Sequence, residues 1–191
     1  CSPQRENSTF DPVVVRMLIS SAYRAMNEEL HAADPDFGRS GHFFGKVVRD
    51  ILRGDPGIVT ALDYGCGKGT LKESAPGVEW REYDPAIKGK DADPMPADLV
   101  CCTEVLEHIE PGCLDAVLDH LRAVTLRLCF MSVATRAALK TLPDGRNAHL
   151  ILRPVEWWDV ELGKRFTLLH YEKPQKEGGM MVLGIPREGT E

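Results

Sequence analysis

The stretch that decides the fold reads Leu62-Asp63-Tyr64-Gly65-Cys66-Gly67-Lys68-Gly69-Thr70. It follows a short apolar run rich in β-forming residues, from Ile58 to Leu62, and a helix is predicted after it. Glycines at 65, 67 and 69 permit a sharp strand-to-helix turn, because glycine tolerates positive φ and carries no side chain. In open α/β sheets, a loop of this kind brings its backbone close to a ligand beyond the carboxyl ends of the strands.

The spacing of the glycines indicates which ligand the loop binds. A dinucleotide fingerprint is GxGxxG, whereas this loop is GxGxG, and Thr70 stands where the dinucleotide motif has its third glycine. Asp63 precedes the loop, and its carboxylate is unfavourable beside a pyrophosphate but favourable beside an ammonium group. S-adenosylmethionine (SAM) carries an α-ammonium and a sulfonium group, so the loop predicts SAM. The alternative is a tight strand-to-helix turn that binds no ligand.

A second acid supports this prediction. Asp84 ends the predicted strand 78–83, at about the spacing expected for the acid that binds ribose hydroxyls. A carboxylate accepts two hydroxyl hydrogen bonds at once. The order of strand, acid, glycine loop, strand and acid therefore predicts a cofactor site formed by Asp63, the backbone of 65–69 and Asp84.

Strands and helices alternate along the rest of the chain. Further strands are predicted at 97–102, 126–133, 166–171 and 180–185, and helices at 13–31, 43–53, 111–122 and 154–164, the first of them starting at Asp11-Pro12. Such alternation implies right-handed βαβ units and a largely parallel sheet. A Gly178-Gly179 turn separates the last two strands, which indicates an antiparallel finish. The helices before the sheet are expected to form a lid or cap over it.

Three segments carry a resemblance to a known family: 59–71, Glu82-Tyr83-Asp84, and Asp98-Leu99-Val100-Cys101-Cys102-Thr103-Glu104-Val105-Leu106-Glu107-His108. They resemble class I SAM-dependent methyltransferases, over roughly residues 43–186. The resemblance implies a Rossmann-like three-layer α/β methyltransferase fold, with a mostly parallel seven-strand-type sheet, an antiparallel last strand and N-terminal helices. We expect one domain over 1–191, with a helical cap at 1–56 and a SAM-binding core at 57–191. The residues expected to contact the cofactor are Asp63, Gly65, Cys66, Gly67, Asp84 and Glu104.

Acidic and histidine residues follow the predicted strand 97–102, in the segment 103–109. In a helical turn, Glu104, Glu107 and His108 share one face. Two carboxylates beside an imidazole are unfavourable unless a cation is present, and mixed oxygen and nitrogen ligands admit Mg, Mn, Fe or Zn. His149, in the loop after the predicted strand 126–133, is the fourth ligand in this interpretation.

Two groups of methyltransferases are similar to the chain at this cluster. The ubiquinone-biosynthesis O-methyltransferases and the small-RNA 2′-O-methyltransferases carry a Glu-x-x-Glu-His segment and a later His, matched by Glu104, Glu107, His108 and His149. The match implies a divalent metal that holds and deprotonates an acceptor hydroxyl. Many class I methyltransferases carry a similar segment without a metal. In that alternative, Glu104 faces the cofactor and His149 or His108 is the candidate general base.

Composition limits the partners. The net charge of −6 over 191 residues disfavours nucleic acid, because nucleic-acid-binding proteins usually present a basic patch. We therefore expect an enzyme acting on a small-molecule acceptor; the alternatives are an RNA terminus as acceptor and a non-catalytic SAM-binding subunit. No apolar run approaches the ~18 residues of a membrane span, so no membrane partner is expected. Six cysteines without a CxxC pair predict free thiols and a cytoplasmic location. The oligomeric state does not follow from the sequence.

Overall fold

A computed structural model describes residues 17–172 and 178–188 of the chain. The helices are α1 (Ser21–Ala33), α2 (Gly45–Gly54), α3 (Thr70–Ser74), α4 (Leu114–Val124) and α5 (Val155–Gly163), with short 3₁₀ segments at Ser40–Phe44, Leu106–His108 and Pro111–Cys113. The strands are β1 (Thr60–Tyr64), β2 (Glu79–Tyr83), β3 (Ala97–Thr103), β4 (Thr125–Ala134), β5 (Phe166–Glu172) and β6 (Gly179–Pro186). Each predicted strand therefore has a counterpart, with bounds that differ by one or two residues.

The first helix begins later than the sequence pattern predicts. The predicted start at Asp11-Pro12 lies outside the described residues, and residues 17–19 are not helical. Ser20 sets the start of α1, because its side-chain oxygen accepts a hydrogen bond from the Tyr23 N–H at 3.1 Å. A cap of this kind satisfies a first-turn N–H that has no partner within the helix.

The six described strands form one sheet in the order β2-β1-β3-β4-β6-β5. Strands β2, β1, β3 and β4 are parallel, and β6 is antiparallel to both β4 and β5. The predicted α/β class, with a mostly parallel sheet and an antiparallel last strand, is confirmed. The described residues hold six strands rather than seven, because 85–96, between β2 and β3, contains turns and no strand.

Helices cover both faces of the sheet, as in a three-layer fold. One face packs against α4 and α5, through side chains such as Leu118, Leu121 and Trp158 that are fully buried. The other face packs against α2 and α3, through Val48 and Leu71. Burying an aliphatic side chain of this size contributes about 1.5–3 kcal/mol. The two cores therefore hold the strands firmly beneath the edge where their carboxyl ends meet.

Helix α1 lies over this carboxyl edge. The Tyr23 hydroxyl donates to the His108 carbonyl oxygen at 2.7 Å, and the Ser20 hydroxyl donates to the Glu110 carboxylate at 2.7 Å. Tyr23 also packs with Leu142, in the loop after β4. Helix α2, which the sequence assigned to the cap, packs on a face of the sheet instead. The division of 1–191 into a cap and a core stays a prediction.

Two further expectations concern thiols and membranes. The cysteines at 66, 101, 102, 113 and 129 are buried and free, as predicted. Cys1 lies outside the described residues. Over the described ranges, none of the helices combines the length and the apolar character that crossing a bilayer requires.

Candidate functional site

The glycine loop joins β1 to α3, and its own backbone N–H groups are already in use. The N–H groups of Gly65 and Cys66 both donate to the Tyr83 carbonyl oxygen, at 2.8 and 3.0 Å. The Gly67 N–H donates to the Asp84 carboxylate at 3.0 Å. The Lys68 N–H donates to the Gly38 carbonyl oxygen and the Gly69 N–H to the Cys66 carbonyl oxygen, both at 2.8 Å. A phosphate-binding loop needs N–H groups that point at the ligand. Because every N–H between 65 and 69 has a protein acceptor, the loop is poorly suited to a pyrophosphate.

A cavity of about 260 Å³ lies beside this loop, along the edge of the sheet that α1 covers. This volume is slightly below the roughly 300–1,000 Å³ of most small-molecule sites, so the space has room for no more than one ligand. Its apolar lining includes Leu18, Ile19, Tyr64, Tyr83, Ile109 and Val117. The predicted site residues that line it are Gly65, Gly67, Asp84, Glu104 and His108; the others, Asp63, Cys66, Glu107 and His149, do not.

Asp84 is held by the chain and still faces the cavity. Its Oδ2 accepts from the Gly67 N–H and its Oδ1 from the Ala86 N–H, both at 3.0 Å. Each carboxylate oxygen keeps a further lone pair. A ligand hydroxyl in the cavity therefore meets an acceptor whose position is already fixed.

Asp63 lies beneath the glycine loop rather than in the cavity. Side chains alternate along a strand, so Asp63 shares the α2–α3 face with Ala61, whereas Tyr64 points to the opposite face. Its Oδ2 is buried without a hydrogen-bond partner among the described residues. Burial and, after it, the Glu82 carboxylate raise the pKa of Asp63 to about 7. Cys66 is buried too, and burial raises the pKa of its thiol.

Gly67 marks the place where the cap rests on the glycine loop. Its φ is +49°, and a Cβ there would lie 2.5 Å from the Gly38 carbonyl oxygen. Gly38 belongs to the segment that follows α1. From the sequence we expect a ligand at this close approach, whereas the structure places the chain's own backbone there.

We expect Gly67→Ala to destabilise the chain more than Gly89→Ala. Both glycines have positive φ, +49° and +88°, but a Cβ at Gly89 meets nothing within 4 Å. Alanine adopts a φ near +50° at lower cost than a φ near +90°, because +50° lies within the left-handed helical region. Backbone conformation alone therefore predicts that Gly67→Ala loses less stability than Gly89→Ala. The contact with Gly38 reverses this order and adds about 1–2 kcal/mol. Urea denaturation of the two variants measures the difference, and an equal loss would contradict a cap seated on the loop.

The cap supplies lining residues, of which sequence reasoning missed Asn27 and His31. Tyr23, Asn27 and His31 of α1 all line the cavity. They follow one another at intervals of four, so they share one face of the helix. That polar stripe is the signal that would have found them, but nothing local in the sequence indicates what the stripe faces.

Glu104 occupies a strained position at the end of β3. Its φ of +56° is the only positive φ of a non-glycine residue in the described ranges. Its N–H contacts the Ser132 carbonyl oxygen and hydroxyl, both at 3.1 Å, and its carboxylate accepts from that hydroxyl at 3.2 Å. A left-handed conformation of this kind costs about 1–3 kcal/mol and concentrates at functional sites. The end of β3 is therefore fixed to the end of β4 beside the cavity.

Three of the four predicted metal ligands come together. One ligand atom each from Glu107, His108 and His149 lies within 4.8 Å of the other two. The two imidazole rings have centroids 4.7 Å apart and are nearly perpendicular, at 87°. Glu104 is not part of this group in the described residues, and its carboxylate bonds Ser132 instead.

Both histidines are oriented by backbone carbonyl groups. Nδ1 of His108 lies 2.9 Å from the Ala148 carbonyl oxygen, and Nδ1 of His149 lies 2.6 Å from that of Arg136. A carbonyl oxygen only accepts, so Nδ1 carries a proton in both rings, and a neutral ring in this tautomer has a bare Nε2. Burial and, after it, His149 lower the pKa of His108 to about 4, which keeps that ring neutral.

Glu107 is fully buried and only half satisfied. Its Oε1 accepts from the Ala134 N–H at 2.7 Å, whereas Oε2 has no hydrogen-bond partner among the described residues. Burial and, after it, the Glu104 carboxylate raise the pKa of Glu107 to about 8. Burying an ionised carboxylate without a partner costs free energy, and a bound cation or protonation of the carboxylate removes that cost.

This cluster fits a divalent ion. Metal-binding histidines usually donate their other ring N–H to a carbonyl or carboxylate, as His108 and His149 do, and the free oxygen of Glu107 completes a two-histidine, one-carboxylate set. Bonds of about 2.0–2.2 Å put ligand atoms roughly 3 Å apart, so the three groups would draw closer around an ion. The same bare Nε2 atoms also suit proton transfer without a metal.

No protein-family model matches the sequence, and no curated protein matches it either. Solved structures, by contrast, match its fold. The 1,6-didemethyltoxoflavin-N1-methyltransferase of Burkholderia thailandensis, with bound 1,6-didemethyltoxoflavin and S-adenosylhomocysteine (SAH), is similar at a TM-score of 0.60 and 13% identity, covering 98% of this chain and 100% of that chain. The magnesium protoporphyrin IX methyltransferase of Synechocystis PCC 6803, with bound SAH, is similar at 0.55 and 17%, covering 93% and 100%.

A structure of another acceptor class has the same fold. The 16S rRNA methylase ArmA is similar at a TM-score of 0.51 and 12% identity, covering 84% of this chain and 90% of that chain. Together these likenesses show that the chain has the Rossmann-like fold of class I SAM-dependent methyltransferases.

Proposed function

We propose that this chain is a SAM-dependent methyltransferase that transfers a methyl group to an oxygen or nitrogen atom of a small-molecule acceptor. The observation that carries the proposal is the cavity bounded by Gly65, Gly67, Asp84 and Glu104 at the carboxyl edge of the sheet. The loop leaves no N–H group for a phosphate, while Asp84 keeps lone pairs for hydroxyl groups. Proteins with the same fold carry SAH in their solved structures, which supports this class of ligand.

The residues present fit SAM. Asp84 would accept hydrogen bonds from the ribose hydroxyls, and the backbone of Gly65 and Gly67 would lie along the chain between the ribose and the amino acid. Asp63 would act from beneath the loop, where an ammonium group above it favours the ionised carboxylate. When bound, SAM supplies an electrophilic sulfonium methyl group, and the protein's part is to hold the acceptor atom in line with it.

We propose that the acceptor approaches from the side of His108 and His149. Their bare Nε2 atoms would accept a proton from a hydroxyl or amine, and the Nδ1 contacts that leave Nε2 bare support this role. In the metal-assisted alternative, Glu107, His108 and His149 would hold a divalent ion that makes an acceptor hydroxyl more acidic. Glu104 would face the cofactor in both alternatives.

Calorimetry with SAM, SAH and NAD tests the proposal directly. We expect SAM and SAH to bind and NAD not to bind, because NAD brings a pyrophosphate to a loop without free N–H groups. Turnover is then measured with SAM and a panel of small-molecule acceptors, with and without a chelator. Binding of NAD without SAH would contradict the proposal.

Two alternatives are tested when an RNA oligonucleotide is added to the acceptor panel. Methyl transfer to the terminal 2′-hydroxyl of an RNA would assign the acceptor to nucleic acid; the Glu107–His108–His149 cluster would suit a hydroxyl acceptor of this kind, but the net charge of −6 opposes it. SAH binding without turnover on any acceptor would identify a non-catalytic subunit. The intact Asp84 and the oriented histidines argue against loss of activity.

A further inference from the structure

His31 lies in the last turn of α1 and lines the cavity beside Gly67 and Asp84. Its carbonyl oxygen accepts from the Lys68 ammonium at 2.6 Å, which ties this turn to the glycine loop. Its ring packs edge-on against Phe37, with centroids 4.8 Å apart. The ring is therefore held over the loop from the cap side, opposite the sheet.

The two nitrogens of this ring differ in their surroundings. Nδ1 is enclosed and has no hydrogen-bond partner among the described residues, and a Cβ at Gly38 would lie only 3.2 Å from it. Nε2 is not among the enclosed atoms without a partner in the described residues. Because the His31 side chain lines the cavity, Nε2 is the nitrogen available to a ligand there. Burial lowers the pKa of His31, which keeps the ring neutral, with one N–H donor.

Asp84 cannot complete a hydroxyl site alone. Its carboxylate only accepts, and it already accepts from the Gly67 and Ala86 N–H groups. A ligand hydroxyl that donates to Asp84 still has an oxygen that needs a donor. Between 65 and 69 the loop offers no free N–H, so the donor must come from elsewhere. His31 lines the same cavity and lies close enough to Asp84 for the carboxylate charge to act on its ring.

We propose that His31 is a second contact to the cofactor's ribose, its Nε2–H donating to a hydroxyl oxygen whose own proton is donated to Asp84. The proposal rests on the proposed SAM-binding function and adds to it a specificity residue from the cap. It also gives a reason for the hydrogen bond between α1 and the glycine loop, because that bond holds the His31 donor beside the ribose.

The test uses the full chain and calorimetry with SAH, 2′-deoxy-SAH and 3′-deoxy-SAH. His31→Phe keeps an aromatic ring against Phe37 and removes the donor. We expect this variant to bind SAH about tenfold more weakly, the loss of one hydrogen bond to a hydroxyl. For one of the two deoxy analogues, the variant and the native sequence should bind equally tightly. That analogue lacks the hydroxyl to which His31 donates, so removing the His31 donor costs no further hydrogen bond. His31→Gln, which keeps an N–H donor, should retain part of the discrimination.

The control is His42→Phe, because His42 is an exposed histidine of the 3₁₀ segment whose ring contacts the Arg39 carbonyl oxygen. It should leave all three affinities unchanged. Equal weakening of SAH and both analogues by His31→Phe would reduce His31 to a packing role and overturn the proposal. If His31→Phe does not fold, His31→Leu, which also lacks a donor, is measured instead: loss of the discrimination between SAH and one deoxy analogue supports the proposal, and unchanged discrimination overturns it. Failure of the native sequence to bind SAH would overturn the proposed function itself, which is a distinguishable result.

Discussion

Glu107→Gln is expected to stabilise the folded chain at alkaline pH and to slow methyl transfer by about a hundredfold or more. The pKa of Glu107 is raised from an ordinary 4.5 to about 8 by burial and by Glu104. Between those values the folded state binds more protons at this residue than the unfolded state does, so the free energy of unfolding falls as the pH rises. Glutamine is neutral throughout and keeps an oxygen for the Ala134 N–H. Near pH 9 the variant should therefore be more stable, by on the order of 3 kcal/mol.

Urea denaturation at pH 5 and near pH 9 measures this gain, and two comparisons isolate it. Asp63 has a raised pKa as well, but it is present in both proteins and its effect cancels in the difference. Glu156→Gln, at an exposed acid in the first turn of α5, should change stability equally at both pH values. A Glu107→Gln variant that is less stable than the native sequence near pH 9 would contradict a buried carboxylate without a partner.

The same variant separates the two interpretations of the cluster. If Glu107, His108 and His149 hold a divalent ion, adding Mg²⁺, Mn²⁺, Fe²⁺ or Zn²⁺ should raise the melting temperature of the native sequence. Glu107→Gln should lose most of that rise. No rise with any of these ions, together with turnover that a chelator does not affect, would assign proton transfer to the bare Nε2 atoms of the histidines. With or without a metal ion, turnover of Glu107→Gln should fall by about a hundredfold or more, because the histidines lose the carboxylate beside them.

The parts of the fold that the sequence predicted are those that local patterns determine. The glycine loop and Asp84 were found because strand, turn and acid follow one another within about twenty residues, at a spacing that the chain itself imposes. The antiparallel last strand follows from a glycine turn too short for a crossover helix. The expected seventh strand is not found in the described residues, because 85–96 forms turns and no strand between β2 and β3.

The parts that the sequence did not predict depend on side-chain direction or on distant contacts. Asp63 was assigned a direct ligand contact, but the alternation along β1 points it to the face beneath the loop, and Tyr64 takes the cavity side. His31 and Gly38, about thirty residues earlier in the chain, lie close to Gly67, and no sequence motif predicts this contact. Glu104 was expected in the metal cluster, but its left-handed backbone directs its carboxylate to Ser132.

Asp84→Asn is expected to weaken SAH binding about a hundredfold. The carboxylate would lose its charge-assisted bonds to two ribose hydroxyls, each worth about 1.5–3 kcal/mol, and only part of that is recovered by an amide. The amide also cannot accept with both atoms, so either the Gly67 or the Ala86 N–H loses its partner. We therefore expect a loss of stability of about 1–2 kcal/mol in the absence of ligand as well.

Calorimetry at a temperature where both proteins are fully folded separates the two effects. Asp50→Asn is the matched control, because Asp50 is an exposed acid of α2 whose ion pairs, over the residues that the structure describes, are with Lys46 and Arg53 of its own helix. It should leave SAH binding unchanged. If Asp84→Asn is destabilised as expected but binds SAH within threefold of the native sequence, then Asp84 only fixes the glycine loop. Other residues would then bind the ribose. The pattern of Asp63, glycine loop and Asp84 would in that case be a requirement of the fold and not evidence for the ligand.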